Sequence, residues 1–326
     1  MDRGGGIKAI VLYSGGLDSN LALRIILDQG LEVLALTFFT PFTSPIRERF
    51  SLPGVEYRSI TFGQEYIDLV KSPSYGWGRN MNPCIDCRIY TLKITKGLMD
   101  EVGGSFLVTG EVLGQRPMSQ RRDTLRLIEK EAGLEGLILR PLSAKLLPPT
   151  IPEREGWVRR EILLDFRGRS RKPQMELASQ WGIGGYPSPA GGCRLTDPGF
   201  SHRLREALNF GEDGLGDMEL LKLGRHFRLP SGAKAIVGRN EEENGKLSSL
   251  VSSDDYLLEV VGFPSPLTLL RKAKGVKDLL DAASLCARYS DGEGVVEVRT
   301  WREGKEIDLP KVSPLEEDKI LEYRLG

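Results

Sequence analysis

The sequence predicts a parallel-sheet α/β domain followed by a smaller α+β domain, and three observations carry that prediction. Residues 7–13 form an apolar run that enters a small-residue turn, Ser14-Gly15-Gly16-Leu17-Asp18-Ser19, and residues 20–27 continue at helical spacing. Residues 31–39 form a second apolar strand, which reads as buried on both faces and parallel to the first, giving a βαβ crossover. The chain has 326 residues, too many for one average domain, and its character changes near Ser201, so the domains are placed at residues 1–200 and 201–326.

The elements follow in order. Residues 40–50 read as a loop, residues 55–60 as a strand, and residues 71–80, rich in Ser, Pro and Gly, as a long connection. A helix is expected from about Ile89 to Val102, a strand over residues 105–111, another over 137–142, and a stiff proline connector over 148–152. In the second domain, residues 202–209 read as a helix and 211–217 as a turn-rich acidic break. Two short strands over 220–230 and 233–240, a helix opening on Glu241, a strand over 256–261, a helix over 276–288 and a strand over 295–299 complete it.

Composition excludes some classes of function and leaves others open. Lys and Arg number 45 against 45 Asp and Glu, so any nucleic-acid site must come from local clustering. The densest basic stretch is Arg154, Arg159, Arg160, Arg167, Arg169, Arg171 and Lys172, with Arg121 and Arg122 as additions; it reads as a phosphate-backbone surface or as a solvated, salt-bridged helix. There is no run of 18 apolar residues and no apolar leader before the first strand, so a soluble cytoplasmic protein without membrane contact is expected.

The turn after the first strand is an anion site in outline. Gly15 and Gly16 permit positive φ and close approach of backbone to ligand, while Ser14 and Ser19 add hydroxyls where a helix N-terminus points its N–H groups. The lysine of GxxxxGK[ST] is missing, which argues against kinase-like γ-phosphate chemistry. Ser-Gly-Gly-x-Asp-Ser instead resembles the PP-loop of the ATP pyrophosphatase superfamily, whose Rossmann-like, HUP-type domains adenylate a substrate and release pyrophosphate.

Four cysteines, Cys84, Cys87, Cys193 and Cys286, suit metal binding or catalysis better than disulfides in such a chain. Asn82-Pro83-Cys84-Ile85-Asp86-Cys87-Arg88 precedes a helix, where the helix N-terminus and Arg88 are expected to lower the thiol pKa values. Cys193 is displayed in a Gly- and Pro-rich loop, and Cys286 reads as a packed core thiol. A zinc ribbon would need a second C-x2-C, and His202 and His226 are the only histidines.

Thr109-Gly110-Glu111-x-x-Gly114-Gln115 and Arg140-Pro141-Leu142 are similar to segments of tRNA 4-thiouridine synthetases. With the loop and the cysteines they give the chain the look of a tRNA thiouridine synthetase, of the 4-thiouridine or 2-thiouridylase type, over about residues 7–198. The resemblance implies ATP on Ser14, Gly15, Gly16, Asp18, Ser19, Thr109, Gly110 and Gln115, with Asp18 at Mg²⁺ or the phosphates. It also implies a [4Fe-4S] cluster on Cys84, Cys87 and Cys193, those three cysteines and Asp18 being the catalytic set; a persulfide passed between two cysteines is the competing mechanism. The implied reaction is uridine thiolation in tRNA through an adenylated base oxygen, on a flipped or unpaired base, with inorganic sulfide or a cysteine desulfurase as donor. Departures from the family are that a THUMP-type region ahead of the loop and a rhodanese-like domain after it are expected to be absent.

Gly224-Arg225-His226-Phe227, Val237-Gly238-Arg239-Asn240 and Glu243-Asn244 resemble the small NFACT-R type domain, which implies RNA association. Two rivals stand beside tRNA thiolation: sulfur transfer to a small molecule or cofactor, and a non-enzymatic RNA-binding adaptor. The sequence leaves oligomeric state and the modified nucleotide open.

Overall fold

The computed structural model describes residues 6–43, 52–186 and 193–326. The chain divides into two compact units, Met1–Arg194 and Leu195–Gly326.

The first unit runs β1 (Lys8–Leu12), α1 (Leu17–Leu27), β2 (Glu32–Phe39), β3 (Glu56–Thr61), α2 (Gln64–Lys71), α3 (Cys84–Val102), β4 (Phe106–Thr109), α4 (Arg122–Ala132), β5 (Ile138–Leu139), α5 (Ile151–Arg154) and α6 (Lys172–Gln180). The strands form one sheet in the order β3-β2-β1-β4-β5, with every pairing parallel. Because both faces are covered, successive strand residues are apolar and go alternately to two cores. Ala9, Val11, Val33, Ala35, Phe106 and Val108 pack with α1 and Ala178 of α6. Ile10, Leu12, Leu34, Leu36 and Leu107 pack on the other face with Ile89, Leu92 and Met99 of α3 and Ile128 of α4. In this strand order the connections diverge between β1 and β4, the point of an open parallel sheet where ligands bind beyond the carboxyl ends of the strands.

Some expectations change here. The helix expected from Ile89 starts at Cys84, so both cysteines of the C-x2-C lie in its first turn; its end at Val102 is fixed by Gly103 in the left-handed region, φ 67°. The strand expected over 137–142 is only Ile138–Leu139, and the proline connector yields to α5 from Ile151, capped by Thr150 and Glu153. Residues 154–172 form no single helix: a 3-10 turn, Arg160–Ile162, stands between α5 and α6. The Gly- and Pro-rich stretch 187–192 ahead of Cys193, and residues 44–50 of the expected loop, lie outside the described residues.

The second unit comprises α7 (Pro198–Asn209), α8 (Leu215–Leu220), β6 (Arg225–Arg228), β7 (Lys234–Val237), α9 (Glu241–Ser249), β8 (Tyr256–Val260), β9 (Thr268–Arg271), α10 (Val276–Arg288), β10 (Val298–Arg302), β11 (Lys305–Ile307), α11 (Glu317–Tyr323) and β12 (Arg324–Leu325). Its sheet is antiparallel in the order β11-β10-β8-β9-β7-β6-β12. Alternation along β7, β8 and β9 sends Ala235, Val237, Leu258 and Leu270 to a core shared with α10, and Ile236, Leu257 and Leu269 to one shared with Leu220 and Leu247. The acidic break becomes α8, whose first turn is tied by the Asp217 carboxylate accepting from the Gly214 N–H, and Leu220 ends that helix instead of opening a strand. Cys286 is fully buried in α10, as its small apolar neighbours indicate.

Candidate active site

The turn between β1 and α1 is built to leave its donors facing outward. Gly15 has φ 71°, and Gly16, the N-cap of α1, has no side chain with which to cap the helix N–H groups. Ser19 Oγ donates to the Gly16 carbonyl at 2.8 Å and accepts from the Ser14 N–H at 3.3 Å, closing the turn around itself. Asn20, fully buried, donates to the Gly15 carbonyl at 3.3 Å. The first-turn N–H groups of an 11-residue helix thus point at the space beyond β1.

Across the divergence point, β4 delivers Thr109-Gly110-Glu111. A Cβ on Gly110 would lie 2.7 Å from the carbonyl carbon and oxygen of Asp18 and 2.8 Å from the Ser19 nitrogen, so only glycine lets the end of β4 reach the loop. Gln115 Nε2 donates to Asp18 Oδ2 at 2.7 Å, and Gln174 Nε2 of α6 donates to Gln115 Oε1 at 3.0 Å. Asp18 Oδ1 is buried without a hydrogen-bond partner, and Arg171 Nη2 stands 3.9 Å from it. Gln174 and Arg171 were not singled out as site residues by sequence; Arg171 was one charge in a basic stretch.

Glu111 is the hinge of the constellation. It is 4% exposed, and its carboxylate takes Arg140 Nε at 3.0 Å, Arg88 Nε at 3.3 Å and the Thr109 hydroxyl at 3.2 Å. Burial alone would raise its pKa, but the Arg88 and Arg140 guanidiniums hold it below the ordinary carboxylate value. Arg88 directly follows the first turn of α3, so Glu111 ties the end of β4 to the helix bearing Cys84 and Cys87. Asp86, between those cysteines, accepts from the Ser74 N–H at 2.8 Å and the Tyr75 N–H at 3.1 Å and so pins the 71–80 connection.

One thiol, that of Cys87, is hydrogen-bonded to Tyr66 of α2, whose hydroxyl donates to Sγ at 2.9 Å. Burial first, then the charges of Cys87, Cys193 and Cys84, push the phenol well above its usual pKa, so all three sulfurs lie within electrostatic reach of one hydroxyl. Cys193 is held by an antiparallel bridge to Thr43, beside the Arg194 N–H that donates to the Phe42 carbonyl at 3.1 Å. The expected lowering of the thiol pKa fails at Cys84: burial pushes it up, outweighing Arg116 and Arg88. Among the described residues no group of three or more His, Cys, Asp or Glu side chains could hold a metal ion, and His226 is buried in the second unit against the Leu223 carbonyl. No helix of the described residues is long and apolar enough to cross a membrane.

A cavity of about 300 Å³ joins these parts. Ser14, Asp18 and Ser19 line it together with Thr109, Gly110 and Cys87, and Arg88 and Arg116 add positive charge. Gln115 reaches it through Asp18, whereas Cys84 and Cys193 are outside its lining.

This fold and site define an α/β domain with a parallel sheet and a glycine-bearing loop after β1 at the divergence of the strand order, followed by a separate α+β domain. Residues 4–145 match the family described as thiamine biosynthesis protein (ThiI), and residues 224–324 match the NFACT protein RNA binding domain. A probable tRNA sulfurtransferase of Ureaplasma urealyticum is 31% identical over 150 residues, covering 41% of this chain and 36% of that protein. One from Geobacillus thermodenitrificans is 32% identical over 141 residues, covering 41% and 34%. The tRNA-specific 2-thiouridylase MnmA of Methylobacillus flagellatus is 23% identical over 291 residues, covering 80% of this chain and 77% of that protein. The chain spans little more than a third of the length of the sulfurtransferases it matches.

Proposed function

We propose that the protein is an ATP-dependent tRNA sulfurtransferase that replaces a uridine oxygen by sulfur. The observation that carries this reading is the cavity in which the phosphate loop, Asp18 and a thiol, Cys87, face one another. In that space the N-terminus of α1 offers its N–H groups to a nucleotide's phosphates, and in this reading a base oxygen attacks the α-phosphorus. Attack forms a P–O bond and breaks the bond to pyrophosphate, which leaves; the adenylated oxygen then departs as AMP when sulfur adds at its carbon. Arg116 and Arg88 offset the charge that develops on the phosphates.

Asp18 Oδ1, buried and without a hydrogen-bond partner, is the oxygen that fits a magnesium ion. Cys84, Cys87 and Cys193, all within electrostatic reach of Tyr66, would be the thiolates to hold a [4Fe-4S] cluster. When bound, such a cluster supplies an iron position at which exogenous sulfide is held. Persulfide transfer is the second reading, favoured by Cys87 lining the cavity while Cys84 and Cys193 do not. The C-terminal domain supplies RNA contacts in this reading, on its match to an RNA-binding family.

Mass spectrometry of tRNA nucleosides after anaerobic incubation with iron, sulfide and ATP tests the proposal. A thiolated uridine with release of AMP and pyrophosphate is expected. Its absence while AMP and pyrophosphate form would move the activity to a small-molecule acceptor, and absence of both would leave an RNA-binding adaptor.

A further inference from the structure

The N-terminal unit holds a second cavity, of about 220 Å³, that shares no lining residue with the first. One wall is a single face of α4, with Arg122, Arg126 and Glu129 at helical spacing; the opposite wall includes Glu153 and Arg154, and Arg140 enters from the end of β5.

Its charges do not cancel. Four guanidiniums, of Arg122, Arg126, Arg140 and Arg154, share the lining with two carboxylates, of Glu129 and Glu153. Both carboxylates are already engaged: Glu129 accepts from Arg140 Nη1, and Glu153 accepts from Arg160 Nη1 and from Thr150. Arg122 and Arg154 each spend one N–H on a main-chain carbonyl, of Leu146 at 2.7 Å and of Pro149 at 2.8 Å, which fixes the side chains and leaves the rest of each fork. Arg126 is exposed and paired with no carboxylate among the described residues.

Arg140 provides the independent sign of a ligand. The residue is 4% exposed, and its Nε and Nη1 are held by Glu111 and Glu129, yet its buried Nη2 has no hydrogen-bond partner. An unmet, desolvated guanidinium donor beside a cavity is costly unless an acceptor fills it. A tetrahedral oxyanion matches a fork of guanidinium N–H groups.

We propose that this cavity binds a phosphate group, held by Arg140 at its base and by Arg122, Arg126 and Arg154 around it, and that it is separate from the site for the nucleotide's phosphates. The phosphate belongs to a small phosphorylated compound or to a phosphodiester of an RNA backbone. Because Arg140 also carries two ion pairs, the exposed Arg126 and Arg154 are the positions to vary.

The test is a calorimetric titration of the full chain with inorganic phosphate, with a non-hydrolysable ATP analogue present at saturation. One equivalent of phosphate should bind, and R126E or R154E should weaken it at least tenfold while analogue binding is unchanged. Absence of phosphate binding, or equal binding by wild type and both variants, overturns the proposal. Analogue binding is read separately, so loss of the nucleotide reading is distinguished from loss of this site; if the analogue does not bind, the dependence on Arg126 and Arg154 alone decides. Displacement of phosphate by tRNA, with a shallower salt dependence in R126E, assigns the group to an RNA backbone; retention of phosphate in the presence of tRNA assigns it to a small compound.

Discussion

The hydroxyl of Tyr66 donates to Cys87 Sγ at 2.9 Å, joining α2 to the first turn of α3. The tyrosine ring is stacked on Phe62 with centroids 5.2 Å apart and tilted against Phe42 and Tyr90, so ring and hydroxyl have separate duties. Burial and the neighbouring sulfurs keep the phenol protonated, hence a donor, at neutral pH. Tyr66→Phe should therefore keep the fold and lose about 1 kcal/mol of stability, whereas Tyr66→Ala should lose about 3–5 kcal/mol. Urea denaturation midpoints of the two variants check this.

Removing the carboxylate at Glu111 leaves two guanidiniums, Arg88 and Arg140, without their shared partner. Glu111→Ala should cost about 3–5 kcal/mol, the usual result of breaking a buried ion pair. The same residue sets an acid limb. Its folded pKa lies below the ordinary value of 4.5, so its contribution is fully present above that pH and is lost as pH falls through the folded value. Denaturation midpoints should decline below about pH 4.5 in the wild type, and Glu111→Gln should flatten that decline.

What the sequence revealed and what it hid divide along physical lines. The β1–loop–α1 unit was legible because glycine, serine and apolar periodicity are local signals, and α10 because Cys286 sits among small apolar residues at helical spacing. The start of α3 was misplaced by five residues because Pro83 and Cys84 look like a loop, although proline is well suited to a helix entry. Glu111, Arg88 and Arg140 were hidden as a unit because a buried ion cluster and a solvated charged face have the same composition. The bond from Gln115 to Asp18 spans 97 positions, beyond any local pattern, and strands as short as β9, β11 and β12 take their identity from pairing.

Gly110 is a test of close approach. An alanine there drives its Cβ into main-chain atoms of Asp18 and Ser19 at 2.7–2.8 Å, and backbone, unlike a flexible side chain, cannot swing aside. The helix N-terminus or the end of β4 must then move. Gly110→Ala should cost about 1–3 kcal/mol and weaken binding of an ATP analogue about tenfold or more, both measured on the same preparation by thermal unfolding with and without nucleotide.

His226 gives the C-terminal domain its own pH dependence. Burial, reinforced by Lys234 and Arg203, drives its pKa well below 6.5, and the Leu223 carbonyl accepts from Nε2 at 2.7 Å, which sets the neutral tautomer. The unfolded chain takes up a proton below 6.5 and the folded one does not, so stability is present above that pH and declines as pH falls toward the folded value. The slope should approach about 1.4 kcal/mol per pH unit. Unfolding midpoints at pH 7.5 and pH 5.5, about one unit either side of the free histidine value, should separate in the wild type and converge in His226→Gln.

The three cysteines of the first unit can be told apart from the fourth. Cys84, Cys87 and Cys193 are partly accessible, whereas Cys286 is fully buried and bonded to Ser265 and the carbonyl of Leu258. If three thiolates share a cluster, Cys84→Ala, Cys87→Ala and Cys193→Ala should each abolish the brown absorbance of protein reconstituted anaerobically with iron and sulfide, and Cys286→Ala should keep it. If sulfur instead travels as a persulfide on Cys87, Cys87→Ala should lose cyanolysable sulfur after treatment with a sulfur donor, while one of the other two variants retains it unresolved. Unchanged absorbance in Cys193→Ala would remove the three-thiolate arrangement, because Cys193 comes from beyond α6 and only folding brings it to Thr43 and within reach of Tyr66.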